Sequence, residues 1–139
     1  MSADAKNAAV HRVDTTSGYR VPVTWYPGAP DTPTIMLLPA LGVAARFYDK
    51  LAGTLAESGL NVAVMEQRGQ GDSALRPGRR YNWGFADVLD NDLPALLEWA
   101  EAQRPGAPLY LMGHSLGGHF AAITAGRFAD RISGLLLVA

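Results

Sequence analysis

The stretch that decides the fold is "PLYLMGHSLGGHFAAITAG", residues 108–126. Its opening residues, 108–112, are mostly apolar without alternating, the pattern of a strand covered on both faces. From Leu116 onward the residues are mostly small or apolar with no proline, and the pattern predicts a helix over 116–129. A strand therefore becomes a helix around Ser115, with Gly113 and Gly117 two positions away on either side. Strand and helix backbones approach closely at those two places, where a side chain would clash, and the strained turn lifts the serine hydroxyl clear of the sheet. The same turn sets the Leu116 N–H at the helix N-terminus, aimed where a tetrahedral oxyanion would form. Gly118, Ala121, Ala122 and Ala125 keep the helix slim. The pattern G-x-S-x-G alone arises in roughly one chain in twenty of this length from average composition. Its place between a buried strand and a small-residue helix is what makes Ser115 a candidate nucleophile; the alternative is a tight turn with an inert serine.

Outward from this stretch the pattern repeats. "TIMLL" (34–38), "NVAVM" (61–65) and "GLLLV" (134–138) are further short apolar runs that do not alternate. Between them lie helical stretches. In 44–58, Phe47, Leu51 and Leu55 are predicted on one face, with Gly59 as the C-terminal cap. In 84–103, Phe85, Val88, Leu89, Leu93, Leu96, Leu97 and Ala100 form an apolar stripe. Pro94 should kink that helix, or restart it with Asp92 as the cap. Upstream, 9–14 and 19–26 partly alternate around "TTSG", which predicts a hairpin. Pro22 should place its second strand near an edge or force a bulge, and 27–33 read as a plain loop. An antiparallel hairpin followed by strand–helix units is an α/β sheet with right-handed crossovers.

Length and composition narrow the classes. A chain of 139 residues is expected to form one domain, 1–139. At 48% hydrophobic and 18% charged it reads as globular. A formal net charge of −1 gives no reason to expect nucleic acid or an anionic membrane as partner. The absence of cysteine excludes disulfides, thiolate metal sites and a cysteine nucleophile. "MSADAKNAAVHR" lacks the apolar core of a signal peptide and no run approaches a membrane span, so a cytoplasmic location is the expectation.

Other motifs carry less. Gly69, Gly71 and Ala74 satisfy a relaxed dinucleotide fingerprint, but "LRPGRRYNW" follows where a helix must open. Arg68 and Asp72 are expected to brace this loop instead. His114 and His119 are five apart, about 140° around a helix, with no third ligand, so no metal site and no cofactor are expected. His119 is within reach as a base for Ser115, but a base must also be held by an acid, so a packing or rim role is preferred. His11 belongs to the hairpin surface, and Arg79 and Arg80 are read as solvated.

The chain resembles the N-terminal portion of an α/β-hydrolase, close to the serine aminopeptidase and monoacylglycerol lipase-like branch. "GHSLGG" (113–118) is similar to that branch's elbow, and "EQRGQGDS" (66–73) to its loop after the fourth strand. "LLPALGVAARFY" (37–48) stands where the family carries L-L-H-G, its His-Gly being Pro39-Ala40 here. The turn after the third strand should supply a second oxyanion donor, a place taken by the Leu41 N–H. The resemblance implies a serine hydrolase acting on a small-molecule acyl substrate; a serine disfavours the epoxide hydrolase and dehalogenase relatives, which use aspartate. It also implies that the triad acid and histidine follow the serine in later loops, so C-terminal strands are expected to be missing and the chain is read as a fragment with little activity alone. "GLLLVA" would then leave an uncovered strand edge through which the chain could self-associate. A catalytically silent binding module and an assembly completed by another chain stand as the alternatives.

Overall fold

Six strands form one sheet in the order β1-β2-β4-β3-β5-β6 in the computed structural model, which describes residues 7–79 and 82–139. The predicted hairpin is β1 (Ala9–Asp14) and β2 (Arg20–Tyr26), paired antiparallel. β2 runs antiparallel to β4 (Asn61–Met65). From there β4, β3 (Thr34–Leu38), β5 (Leu109–His114) and β6 (Gly134–Val138) are all parallel. Every residue of β3 and β4 is buried, which explains the apolar runs 35–38 and 62–65.

Helices cover both faces. A 3-10 turn (Ala45–Tyr48) and α1 (Asp49–Glu57) pack with Tyr26, Leu37, Val62 and Val64 on one side. On the other lie a short α2 (Phe85–Asp87), a π-helical turn (Val88–Asp92), α3 (Leu93–Gln103) and α4 (Leu116–Arg127). They meet Val23, Trp25, Met36, Leu38 and Met65. Since side chains alternate along a strand, Leu37 serves one core and Met36 and Leu38 the other.

Three expectations are corrected and that for Pro22 is met. Pro22 lies in β2, next to the edge strand as expected, and no bulge interrupts its register against β1. Its carbonyl accepts the Glu66 N–H at 2.9 Å just beyond the last paired residues of β4. N–H and C=O of a strand residue point the same way, so its missing donor falls at the end of the ladder, where no bond is forfeited inside it. The buried face of the 45–57 segment is Ala45, Tyr48 and Ala52, while Phe47 and Leu51 are exposed. Opening as a tighter 3-10 turn rotates the later positions away from α-helical spacing. Gly59 does close α1: it takes φ +104°, with Gly59 N–H on Ala56 O and Leu60 N–H on Leu55 O, a Schellman cap.

Asp92 is helical and caps nothing through its side chain. Pro94 is absorbed instead by the wider π turn before it, where the Leu93 N–H reaches Val88 O. A proline frees carbonyls upstream, and Leu89 O is taken up by Arg127 Nη1 at 3.3 Å. The loop 27–33 is not plain. Buried Asn61 accepts the Gly28 N–H at 2.8 Å and donates to Ala29 O at 3.0 Å. On β6, Leu135, Leu136, Leu137 and Val138 are exposed. Among the described residues no helix is long and apolar enough to cross a membrane.

Candidate active site

Ser115 links β5 to α4 with φ 55° and ψ −115°. Among the described residues it is the one non-glycine residue with positive φ. This conformation suits the first central position of a type II′ turn, where glycine is usual, and holding serine there costs about 1–3 kcal/mol. Its surroundings impose it. The Ser115 N–H donates to Val138 O at 2.9 Å and its C=O accepts the Gly118 N–H at 2.8 Å. A Cβ on Gly113 would lie 2.3 Å from Gly117 O, and one on Gly117 would lie 2.0 Å from Leu38 O and 2.7 Å from Pro39 O. The start of α4 is therefore pressed against the end of β3 and the turn that follows. Ser115 is exposed, and Leu116 opens α4, where the first N–H groups have no partner within the helix.

The turn after β3 is held at Pro39 O, at both backbone groups of Ala40 and at the Val43 N–H. Gln67 Nε2 donates to Pro39 O at 2.6 Å, and the Ala40 N–H donates to the Tyr48 hydroxyl at 2.9 Å. The Val43 N–H donates to Ala40 O at 3.2 Å, and Gly42 takes φ +75° at the tip. The Leu41 side chain is exposed. Glu66, buried at the end of β4, accepts the Ala45 N–H on Oε1 at 2.8 Å and the Asp72 N–H on Oε2 at 3.1 Å. One carboxylate thus ties this segment to the 66–73 loop. A Cβ on Gly71 would lie 2.2 Å from Glu66 Oε2, so the glycine lets that carboxylate in.

Arg68 braces the 66–73 loop, but its partner is Asp92, not Asp72. Arg68 Nε reaches Asp92 Oδ2 at 2.8 Å and Nη2 reaches Oδ1 at 2.9 Å. The Asp72 side chain is exposed; its backbone carbonyl accepts from Arg12. The pair anchors the loop to the π turn, and the Tyr19 ring covers the Arg68 guanidinium at 4.4 Å. Burial raises the Asp92 carboxyl above the usual carboxylate range while the two Arg68 bonds pull it back. The bond to Asp92 in turn raises Arg68, and burial raises the Tyr19 hydroxyl, which bonds Ser73 Oγ at 2.8 Å.

The histidines part company. His114 Nδ1 lies 2.8 Å from the Tyr48 hydroxyl, away from Ser115, and His119 is exposed on α4. No histidine or carboxylate among the described residues is hydrogen-bonded to Ser115 Oγ, and none form a group that could hold a metal ion. Arg79 is exposed, and Arg80 lies outside the described residues. His11 rests its ring on Trp99 at 5.4 Å. A cleft of about 220 Å³ opens between Leu41, Gly42, Trp83, Phe85, Val88 and Phe120. A larger one of about 660 Å³ lies below the hairpin, between Arg12, Tyr19, Arg20, Arg68 and Trp83, away from the turn at Leu41. Sequence reasoning missed Tyr48, Gln67 and the role of Glu66; the one available signal was an acidic residue directly after the apolar run 62–65.

Comparison with known proteins agrees with this architecture. The model of the serine aminopeptidase S33 family matches residues 29–139. The chain is 27% identical to a monoglyceride lipase from Homo sapiens over 92% of its own length and 41% of that protein's. It superposes on an α/β hydrolase from Novosphingobium aromaticivorans with a TM-score of 0.78 and 28% identity, covering 94% of this chain and 43% of the other. An epoxide hydrolase from Vigna radiata superposes at 0.77 with 15% identity, covering 96% and 38%, a likeness of fold alone. The chain thus spans less than half the length of the relatives it matches.

Proposed function

Since the chain belongs to the serine aminopeptidase S33 family of α/β-hydrolases, we propose that it carries the nucleophile and oxyanion donors of a serine hydrolase. Ser115 Oγ attacks the carbonyl carbon of an ester, thioester or amide, and the carbonyl π electrons move onto oxygen. The Leu116 and Leu41 N–H groups hold that oxyanion, with Gly113 and Gly117 permitting the turn. A base takes the Oγ proton and returns it to the departing alcohol, thiol or amine; water then releases the acyl group by the same steps reversed. The observation that carries this reading is an exposed serine held at φ 55° on the first turn of a helix. Strain of this kind clusters at active sites. The likeness to monoglyceride lipases favours a small acyl ester as substrate.

The base and its acid are proposed to lie outside these 139 residues, in keeping with the 41% coverage of the lipase. The 139-residue chain alone then has little or no turnover. The test is hydrolysis of a nitrophenyl ester, with fluorophosphonate labelling, by the protein as its gene encodes it. Ser115→Ala should abolish both. Turnover and labelling that survive Ser115→Ala overturn the proposal. An unlabelled, inactive wild type that still binds acyl ligands leaves a silent binding module instead.

A further inference from the structure

We propose that Tyr48 is the positioning residue of the oxyanion hole, acting through a one-way hydrogen-bond relay from the Ala40 N–H to His114. This rests on the hydrolase reading above. The Ala40 N–H can only donate, so at 2.9 Å the Tyr48 oxygen must accept it. The Tyr48 hydroxyl oxygen and His114 Nδ1 are 2.8 Å apart, and the relay takes the direction in which the hydroxyl proton points at Nδ1, the one His partner the buried hydroxyl meets. The proposed direction requires Nδ1 to be unprotonated, with the ring proton on Nε2. Tyr48 is buried, and its ring meets that of His114 edge-on at 5.9 Å, so the hydroxyl has no solvent to turn to.

The relay matters because of what it leaves open. A peptide group is planar and trans, so fixing its C=O and N–H fixes its plane. The Pro39–Ala40 peptide is fixed at both ends, by Gln67 and by Tyr48. The following peptide is fixed through Ala40 O by the Val43 N–H, which leaves the Leu41 N–H as its outward-facing donor. Tyr48 is the one member of this set that also touches the strand carrying Ser115, through the residue immediately before it. It thereby sets the turn bearing one proposed donor against the turn bearing the nucleophile.

The test compares Tyr48→Phe, His114→Leu and His114→Asn in the protein as encoded, Asn offering an amide oxygen near the place of Nδ1. A donor that acts in the transition state lowers kcat when displaced, so Tyr48→Phe and His114→Leu should each lose roughly tenfold to a hundredfold in kcat with KM within about twofold. The double variant should be no worse than either alone, and His114→Asn should recover most of the loss. Two readouts are independent of the serine chemistry: amide exchange at Ala40 and Leu41 should quicken in Tyr48→Phe, and nitrogen NMR of wild-type His114 should show Nδ1 unprotonated. An unchanged kcat, a loss confined to KM, or Nδ1 found protonated overturns the relay. If Ser115→Ala keeps its turnover, the hydrolase reading falls, and exchange and the histidine tautomer then decide the relay alone.

Discussion

Replacing Arg68 with methionine keeps much of the aliphatic stem and removes the charge from a pair whose side chains are 8% and 0% exposed. Asp92 then has two courses. Staying ionised without a partner in the interior costs about 3–5 kcal/mol. Taking up a proton at pH 7, starting from an ordinary carboxyl near 3.9, costs ~4 kcal/mol. Both courses put the loss at about 4 kcal/mol, a large part of the 5–15 kcal/mol typical of a domain. The sign of the pH dependence follows from burial, which already raises Asp92 and acts unopposed once Arg68 is gone. A carboxyl raised in the native state binds its proton more tightly there than in the unfolded chain. The variant's deficit should therefore shrink as the pH falls from neutrality through the raised value towards the unfolded one. Urea unfolding of wild type, Arg68→Met and Arg68→Met/Asp92→Leu at about pH 7 and about pH 5 measures this. The double variant should regain at least half the loss, because no charge remains buried. A single-variant deficit under about 1 kcal/mol at neutral pH, or one that grows on acidification, refutes the reasoning.

Other substitutions separate the roles of neighbouring residues. Gly117→Ala places a Cβ 2.0 Å from Leu38 O, and should cost about 3 kcal/mol or more in chemical denaturation. Gly126→Ala, on the same helix with open space around it, should instead stabilise by about 0.5–1 kcal/mol. Ser115→Gly should abolish the proposed turnover and yet raise the thermal midpoint, since glycine relieves roughly 1 kcal/mol of strain at φ 55°; a lowered midpoint would count against strain. Tyr19 is raised above its ordinary 10.0 by burial, so the stability it lends is complete below that value and is lost as the pH climbs through the raised one. Tyr19→Phe should show a flatter alkaline stability profile even though it lacks the bond to Ser73.

Much of the fold was legible because burial writes itself into short runs. "TIMLL" and "NVAVM" are strands covered on both faces, each with four consecutive apolar residues too short for a helix between helical stretches. Pro94 illustrates where legibility stopped. Sequence signals a break near Asp92, but whether the chain kinks, restarts or widens depends on which partner takes the freed carbonyl, and Arg127 comes from another helix. The face of the 45–57 segment was misread for a similar reason: Phe47 and Leu51 are the larger apolar residues, but the 3-10 opening turns Ala45, Tyr48 and Ala52 toward Val62 and Val64 instead.

The candidate site divides along the same line. The sequence by itself determined where Ser115 stands, because a strand, two glycines and a small-residue helix within a few positions allow one local geometry. Its neighbours are beyond local reading. Tyr48 and His114 are 66 residues apart, Arg68 and Asp92 are 24 apart, and Gln67 meets Pro39 across 28. The Gln67–Pro39 and Tyr48–His114 bonds join the C-terminal ends of different strands or the turns just after them, while Arg68–Asp92 closes the long connection between β4 and β5 on itself. Only the strand order β4-β3-β5 brings those ends together, and strand order is a property of how the whole core packs, not of any one segment.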